Sequence, residues 1–150
     1  MNKQVIKLIE NYEYPLINSI IYPNGDMLVM ESYKNSNNKY ILRVLCKSTI
    51  DSYFEYNSLD YVSSIFASVM VENDIYQIFA GGGSMGGDGI VYVFNKNIQE
   101  FLWFFFLDNS DVFVSAIFES PTEIICMSTS GLKIRFPIHQ PDKMEVIYED

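Results

Sequence analysis

Histidine occurs once in this chain of 150 residues, at His139, and cysteine twice, at Cys46 and Cys126. One imidazole, with no cysteine or carboxylate at ligand spacing around it, cannot assemble a zinc site inside one chain. A serine nucleophile would have to share that histidine, and the sequence has no GxSxG elbow. His139 therefore reads as a solvated residue at the end of a strand, and catalysis is not expected. The two cysteines lack CxxC spacing and sit among apolar neighbours. They read as buried free thiols rather than as a disulfide framework.

Positive charge is also scarce: ten Lys and Arg against nineteen Asp and Glu give a net charge of -9. Such a surface repels phosphate backbones and anionic headgroups, so nucleic acid and membrane are not expected as partners. Long apolar runs are missing. The longest, Phe101 to Leu107, stops at Asp108, far short of the roughly 20 residues a membrane helix needs. Near the N-terminus, Glu10 and Glu13 stand where a secretory leader would need apolar residues, and the expected compartment is the cytosol. What the chain does have is 49% hydrophobic residues, with eleven Tyr, eleven Phe and one Trp. That is the composition of a packed globule, and the length suits one domain covering residues 1–150.

Internal similarity organises the chain. Asn57 to Phe66 aligns without gaps on Asn109 to Phe118, and a weaker copy begins at Ile17. Repeats at this spacing mark an array of one supersecondary unit. The middle unit, 62–107, reads as four β-rich runs: Val62 to Ser68, Ile75 to Ala80, Ile90 to Phe94 and Phe101 to Leu107. The third, 114–148, repeats that plan in Val114 to Phe118, Glu123 to Met127, Leu132 to Ile138 and Met144 to Tyr148. The first, 17–56, has Ile17 to Tyr22, Met27 to Tyr33, Tyr40 to Leu45 and Ser52 to Tyr56. Turn chemistry separates the runs, so the expected fold is all-β: three four-stranded antiparallel meanders. Val5 to Glu10 fits a short helix or a strand equally well.

Short strand, glycine-rich turn, Ile90-Val91-Tyr92-Val93-Phe94, then Phe101-Leu102-Trp103 before Asp108 and a fresh Val114-Ser115-Ala116-Ile117: this order resembles blades of a β-propeller of the WD-repeat or quinoprotein type. The resemblance spans residues 17–148 and lacks the Trp-Asp dipeptide of true WD repeats. It implies that Val5 to Ile9 is the outer strand of a preceding blade. Because propellers close with about four to eight blades, three imply a homodimer completing a six-blade ring, an array capped by a partner, or a different packing. A β-trefoil and a β-sandwich are the alternatives.

Gly81, Gly83 and Gly86 satisfy GxGxxG, but a β-rich segment follows instead of a helix, and Asp88 stands where a phosphate loop would carry lysine. The stretch reads as a flexible hairpin turn, and no cofactor is expected. Pro23-Asn24-Gly25-Asp26 reads as a turn, not a calcium loop, and no metal site is assigned. Carboxylates at strand ends, Asp60, Glu72, Asp74, Asp108 and Asp111 among them, should collect on two acidic rims. The run from Phe101 to Leu107 lacks the alternation of a strand with one wet face. Both its faces must be covered, by the chain's own core, by an N-terminal segment or by another chain.

These readings lead to a small acidic binding module that covers a basic protein. In that respect the chain resembles bacterial immunity proteins, which block toxins such as nucleases. The expected partner-binding residues are Asp60, Glu72, Asp74, Asp108 and Asp111, with Trp103 as an aromatic anchor. A self-associating β-repeat scaffold, or a module binding a small ligand or sugar, is the alternative.

Overall fold

In the computed structural model, which describes residues 1–58, 61–84 and 86–148, the N-terminal segment is a helix, α1 (Lys3–Glu10), and not a blade strand. The Asn2 side chain caps it, accepting from the N–H groups of Gln4 and Val5 at 2.8 and 3.2 Å. Val5 and Leu8, three positions apart on one face, are buried. Strands β1 (Glu13–Pro15), β2 (Ser19–Ile21), β3 (Asp26–Lys34) and β4 (Tyr40–Thr49) follow. Next comes a second helix, α2 (Ile50–Tyr56), over the residues expected to form the first unit's fourth strand. Thr49 Oγ1 accepts from the Ser52 N–H at 3.0 Å, and burial of Ile50 and Tyr53 selects the helical period. The remaining strands are β5 (Val62–Glu72), β6 (Tyr76–Gly83), β7 (Gly89–Asn95), β8 (Glu100–Leu107), β9 (Phe113–Ser120), β10 (Glu123–Ser128), β11 (Lys133–Pro137) and β12 (Glu145–Val146).

The fold is mostly β, in two antiparallel sheets that do not close into a barrel. One has eight strands in the order β1-β5-β6-β7-β8-β2-β3-β4, and the other has four, β12-β11-β10-β9. The second and third units are thus meanders, β5 to β8 and β9 to β12. The first unit has no sheet of its own: its β2 pairs with β8, Ile20 facing Phe105, while β1, which precedes the unit, pairs with β5 at the other side of the second. With its last segment helical, the first unit has too few strands for a blade of its own. Its strands β2 to β4 extend the neighbouring sheet beyond β8 instead. The three units are therefore not equivalent, and the strand order is that of neither a three-blade propeller nor a trefoil.

Three layers result. Trp103, Phe105 and Leu107 of β8 pack with Ile78, Val91 and Val93 against Phe113, Ile124, Ile134 and Phe136 of the small sheet and its approach. This shared core between two sheets is the layering of a sandwich. On the opposite face, Phe104 and Phe106 pack with Ile21, Ile90 and Tyr14 against Val5 and Leu8 of α1 and Ile50 and Tyr53 of α2. The uninterrupted apolar run is explained by this position: β8 lies between β7 and β2, covered on one face by helices and on the other by a sheet. Each fully buried aromatic there contributes about 1.5–3 kcal/mol of transfer free energy.

Half of the glycine stretch is not a turn. Gly81 to Gly83 end strand β6, where a Cβ on Gly81 would lie 1.9 Å from the Phe66 carbonyl oxygen. Only glycine admits β5 so closely, beside a register shift between Ala67 and Val69. Gly86 and Gly87, at φ +73° and +77°, do form the turn. Cys126 is buried, and burial pushes its thiol up to about 12. Cys46, expected inside, is exposed because β4 is an edge strand. Among the described residues no helix is long and apolar enough to cross a membrane.

Candidate partner-binding site

The β6–β7 turn brings Asp88 back beneath Gly83. The Asp88 residue is only 3% exposed, and Ser63 Oγ donates to its Oδ2 at 3.3 Å. A Cβ on Gly83 would fall 2.7 Å from that same oxygen, so the glycine creates the space that the carboxylate fills. Burial raises the Asp88 pKa above the ordinary carboxylate value; the Ser63 hydroxyl opposes the rise and the nearby Asp108 charge adds to it.

Asp108 and Asp111 belong to the link between β8 and β9 and meet this corner from the side. The Asp108 N–H donates to Asn18 Oδ1 at 2.8 Å, and the Asp111 N–H donates to the Gly87 carbonyl at 2.8 Å. Between them, the buried Ser110 has its carbonyl held by Ser130 Oγ at 2.8 Å. Asp111 itself adopts a left-handed φ of 62°, a conformation that Asp tolerates better than most residues. The link presses on Gly89, where a Cβ would lie 2.2 Å from Ser110 Oγ. The outcome is a rigid corner with three carboxylates.

Four carboxylates elsewhere have cations beside them. Glu31 pairs with Arg43, Glu72 with Lys96, and Glu119 and Glu145 share Arg135. Neither Asp108 nor Asp111 has an ion-pair partner among the described residues. Lys34 lines one pocket with Asp111 without an ion pair between them being formed, so both carboxylates keep acceptor oxygens that a cationic partner can engage.

The expected binding residues do not all converge. Asp108 and Asp111 share the glycine corner. Glu72 and Asp74 lie at the other end of β5 and β6, where Gln77 and Lys96 hydrogen-bond Glu72 and pull its pKa below the ordinary value. Trp103 is 1% exposed and donates its Nε1–H to the Ile138 carbonyl at 2.8 Å. It is a core residue and offers no surface anchor, because β8 is central rather than outermost. Asp60 lies outside the described residues. His139, exposed at a strand end, meets the Tyr76 hydroxyl at 2.8 Å through Nε2. Among the described residues no group of three or more His, Cys, Asp or Glu is placed to hold a metal ion.

Asp88 is the corner residue that sequence reasoning missed. It stood in the glycine stretch as an obstacle to phosphate, and the signal for its burial is the side-chain-free Gly83 across the turn. Compared with family models, curated proteins and solved structures, the chain gives no match in any of the three.

Proposed function

We propose that this protein is a non-catalytic binding protein of the cytosol that neutralises a basic protein partner, in the manner of an immunity protein blocking a bacterial toxin such as a nuclease. The observation that carries the reading is the glycine corner, where Asp108 and Asp111 are fixed by backbone hydrogen bonds and have no ion-pair partner among the described residues. Nucleases present cations to hold nucleic acid, so an acidic, rigid surface is complementary to them. Rigidity matters because the loop need not be ordered on binding, which removes part of the entropic cost of association.

Co-expression with the product of the neighbouring gene tests the proposal. A basic product whose toxicity is suppressed by the wild-type chain, and no longer by D108K/D111K, supports it. A non-basic product, or suppression that survives the charge reversal, contradicts it.

One observation favours self-association as a second reading. The edge strand β4 is ten residues long and exposes Val44 and Leu45 where its pairing with β3 shifts register between Val29 and Met30. A solution mass near 35 kDa, about twice the 17.3 kDa of one chain, would support pairing of this kind, and a monomer would remove it.

A further inference from the structure

Tyr22 follows β2, at the end away from Asn18 and the glycine corner. A cavity of about 450 Å³ opens there, and charges of both signs line it: Asp26, Asp142 and Lys47. Each comes from a different element. Asp26 opens β3, Lys47 belongs to β4, and Asp142 lies in the short helical turn Pro141–Lys143. In the β3–β4 ladder Asp26 stands opposite Thr49 and Leu28 opposite Lys47, which makes Asp26 and Lys47 diagonal neighbours on one face, about 7–8 Å apart along the backbone. Among the described residues none of the three charges takes part in an ion pair. Lys143, the residue after Asp142, is exposed and is not among the residues lining the cavity.

The acidic side is fixed by its own turn. The Tyr22 N–H donates to the Asp26 carbonyl at 2.9 Å, and the Gly25 N–H donates to the Tyr22 carbonyl at 2.9 Å. Asn24 grips Asp26 twice: its Oδ1 accepts from the Asp26 N–H and its Nδ2 donates to Asp26 Oδ2, both at 3.0 Å. The second carboxylate oxygen of Asp26 is left for a ligand. Burial, then the charges of Asp142 and Asp26, push the Tyr22 hydroxyl up to about 12, so both carboxylates bear on the same point of the cavity. The partly buried Leu28 adds an apolar wall.

This arrangement selects by charge. A purely anionic ligand would meet two carboxylates and a purely cationic one would meet Lys47, whereas a molecule bearing both charges satisfies all three. We propose that the cavity binds a free α-amino acid with an aliphatic side chain, its ammonium group between Asp26 and Asp142, its carboxylate beside the Lys47 ammonium, and its side chain against Leu28 and the Tyr22 ring. The volume falls within the roughly 300–1,000 Å³ typical of ligand pockets. The site is separate from the glycine corner and does not depend on the partner proposed for it.

Calorimetry on the full chain at neutral pH tests the site with four probes: L-leucine, L-leucinamide, N-acetyl-L-leucine and glycine. Leucinamide lacks the carboxylate, the acetyl derivative lacks the ammonium group, and glycine lacks the side chain. Leucine should bind one per chain, about tenfold or more tighter than each of the others, because a charge-assisted contact or a buried aliphatic side chain is worth at least that factor. K47Q should weaken leucine by about tenfold without weakening leucinamide. D26N/D142N should weaken leucine by about tenfold without weakening N-acetyl-leucine. Amide shifts of Lys47 and Ser48 when leucine is added to the unmutated chain give a readout independent of any variant's folding. No heat with leucine, equal affinity for any of the three analogues, variants that leave leucine unchanged or weaken the analogue that lacks their contact, or shifts that avoid Lys47 and Ser48 would each overturn the assignment.

Discussion

Two strands of the large sheet, β8 at its centre and β4 at its edge, are both rich in apolar side chains and meet opposite fates. β8 has β7 and β2 as hydrogen-bonded neighbours, helices over Phe104 and Phe106, and the small sheet over Trp103, Phe105 and Leu107. β4 has β3 on one side and, among the described residues, no hydrogen-bonded strand on the other, and its residues 43–47 are all exposed. Apolar content alone therefore does not distinguish a core strand from a surface for binding. The number of covering layers does, and in this chain those layers come from segments distant in sequence.

The sharpest way to test that contrast is to truncate one side chain in each strand. Trp103→Ala removes a fully buried indole and leaves the Ile138 carbonyl without its donor, at a cost of about 3–5 kcal/mol read from the urea midpoint. If it cost no more than a surface change, β8 would not be the centre of the core. Gly81→Ala forces a methyl group against the Phe66 carbonyl and should cost about 1–3 kcal/mol. A neutral outcome would mean that β5 and β6 do not approach as closely as described.

A smaller effect is expected where a single hydrogen bond is lost. Tyr76→Phe removes the contact to His139 and should cost about 1 kcal/mol in the same assay. At the glycine corner the comparison is with pH. Burial raises the Asp88 pKa, so the folded state keeps that proton to higher pH than the unfolded chain. Its contribution favours folding most below the ordinary carboxylate pKa and is lost as pH rises through the raised one. The stability of wild type relative to Asp88→Asn should accordingly fall as pH rises across that interval and then level off. A difference that is flat with pH would show that the Asp88 environment does not perturb it. Smallest of all, Leu45→Ser on β4 should change stability by less than about 0.5 kcal/mol, and a larger loss in dilute solution would reveal a hidden partner strand.

Much of the strand pattern was legible because it is local. β-rich runs bounded by turn residues located β5 to β12 and the hairpins of β2 to β4 within a few positions, and Pro23 to Asp26 forms the expected turn, with the Asp26 N–H bonded to Asn24 Oδ1. What could not be read is non-local. The segment from Ile50 to Tyr56 is too short for its period to decide between helix and strand until Ile50 and Tyr53 find a core. Nothing near Ser19 or Tyr14 announces pairing with Phe106 or Ser63. With those pairings unknown, the blade arrangement followed from the repeat and placed Trp103 outside. The acidic corner was half legible: Asp108 and Asp111 follow from their place after an apolar run, whereas Asp88 needed Gly83.

The central claim is that the fixed carboxylates of the glycine corner hold a basic partner. The most direct measurement is the affinity for the product of the neighbouring gene, taken across a salt series for wild type and for D108K/D111K. The account predicts that wild-type affinity declines steeply with salt and that the charge-reversed variant binds far more weakly with a flatter dependence. Equal affinities with the same salt dependence would contradict it.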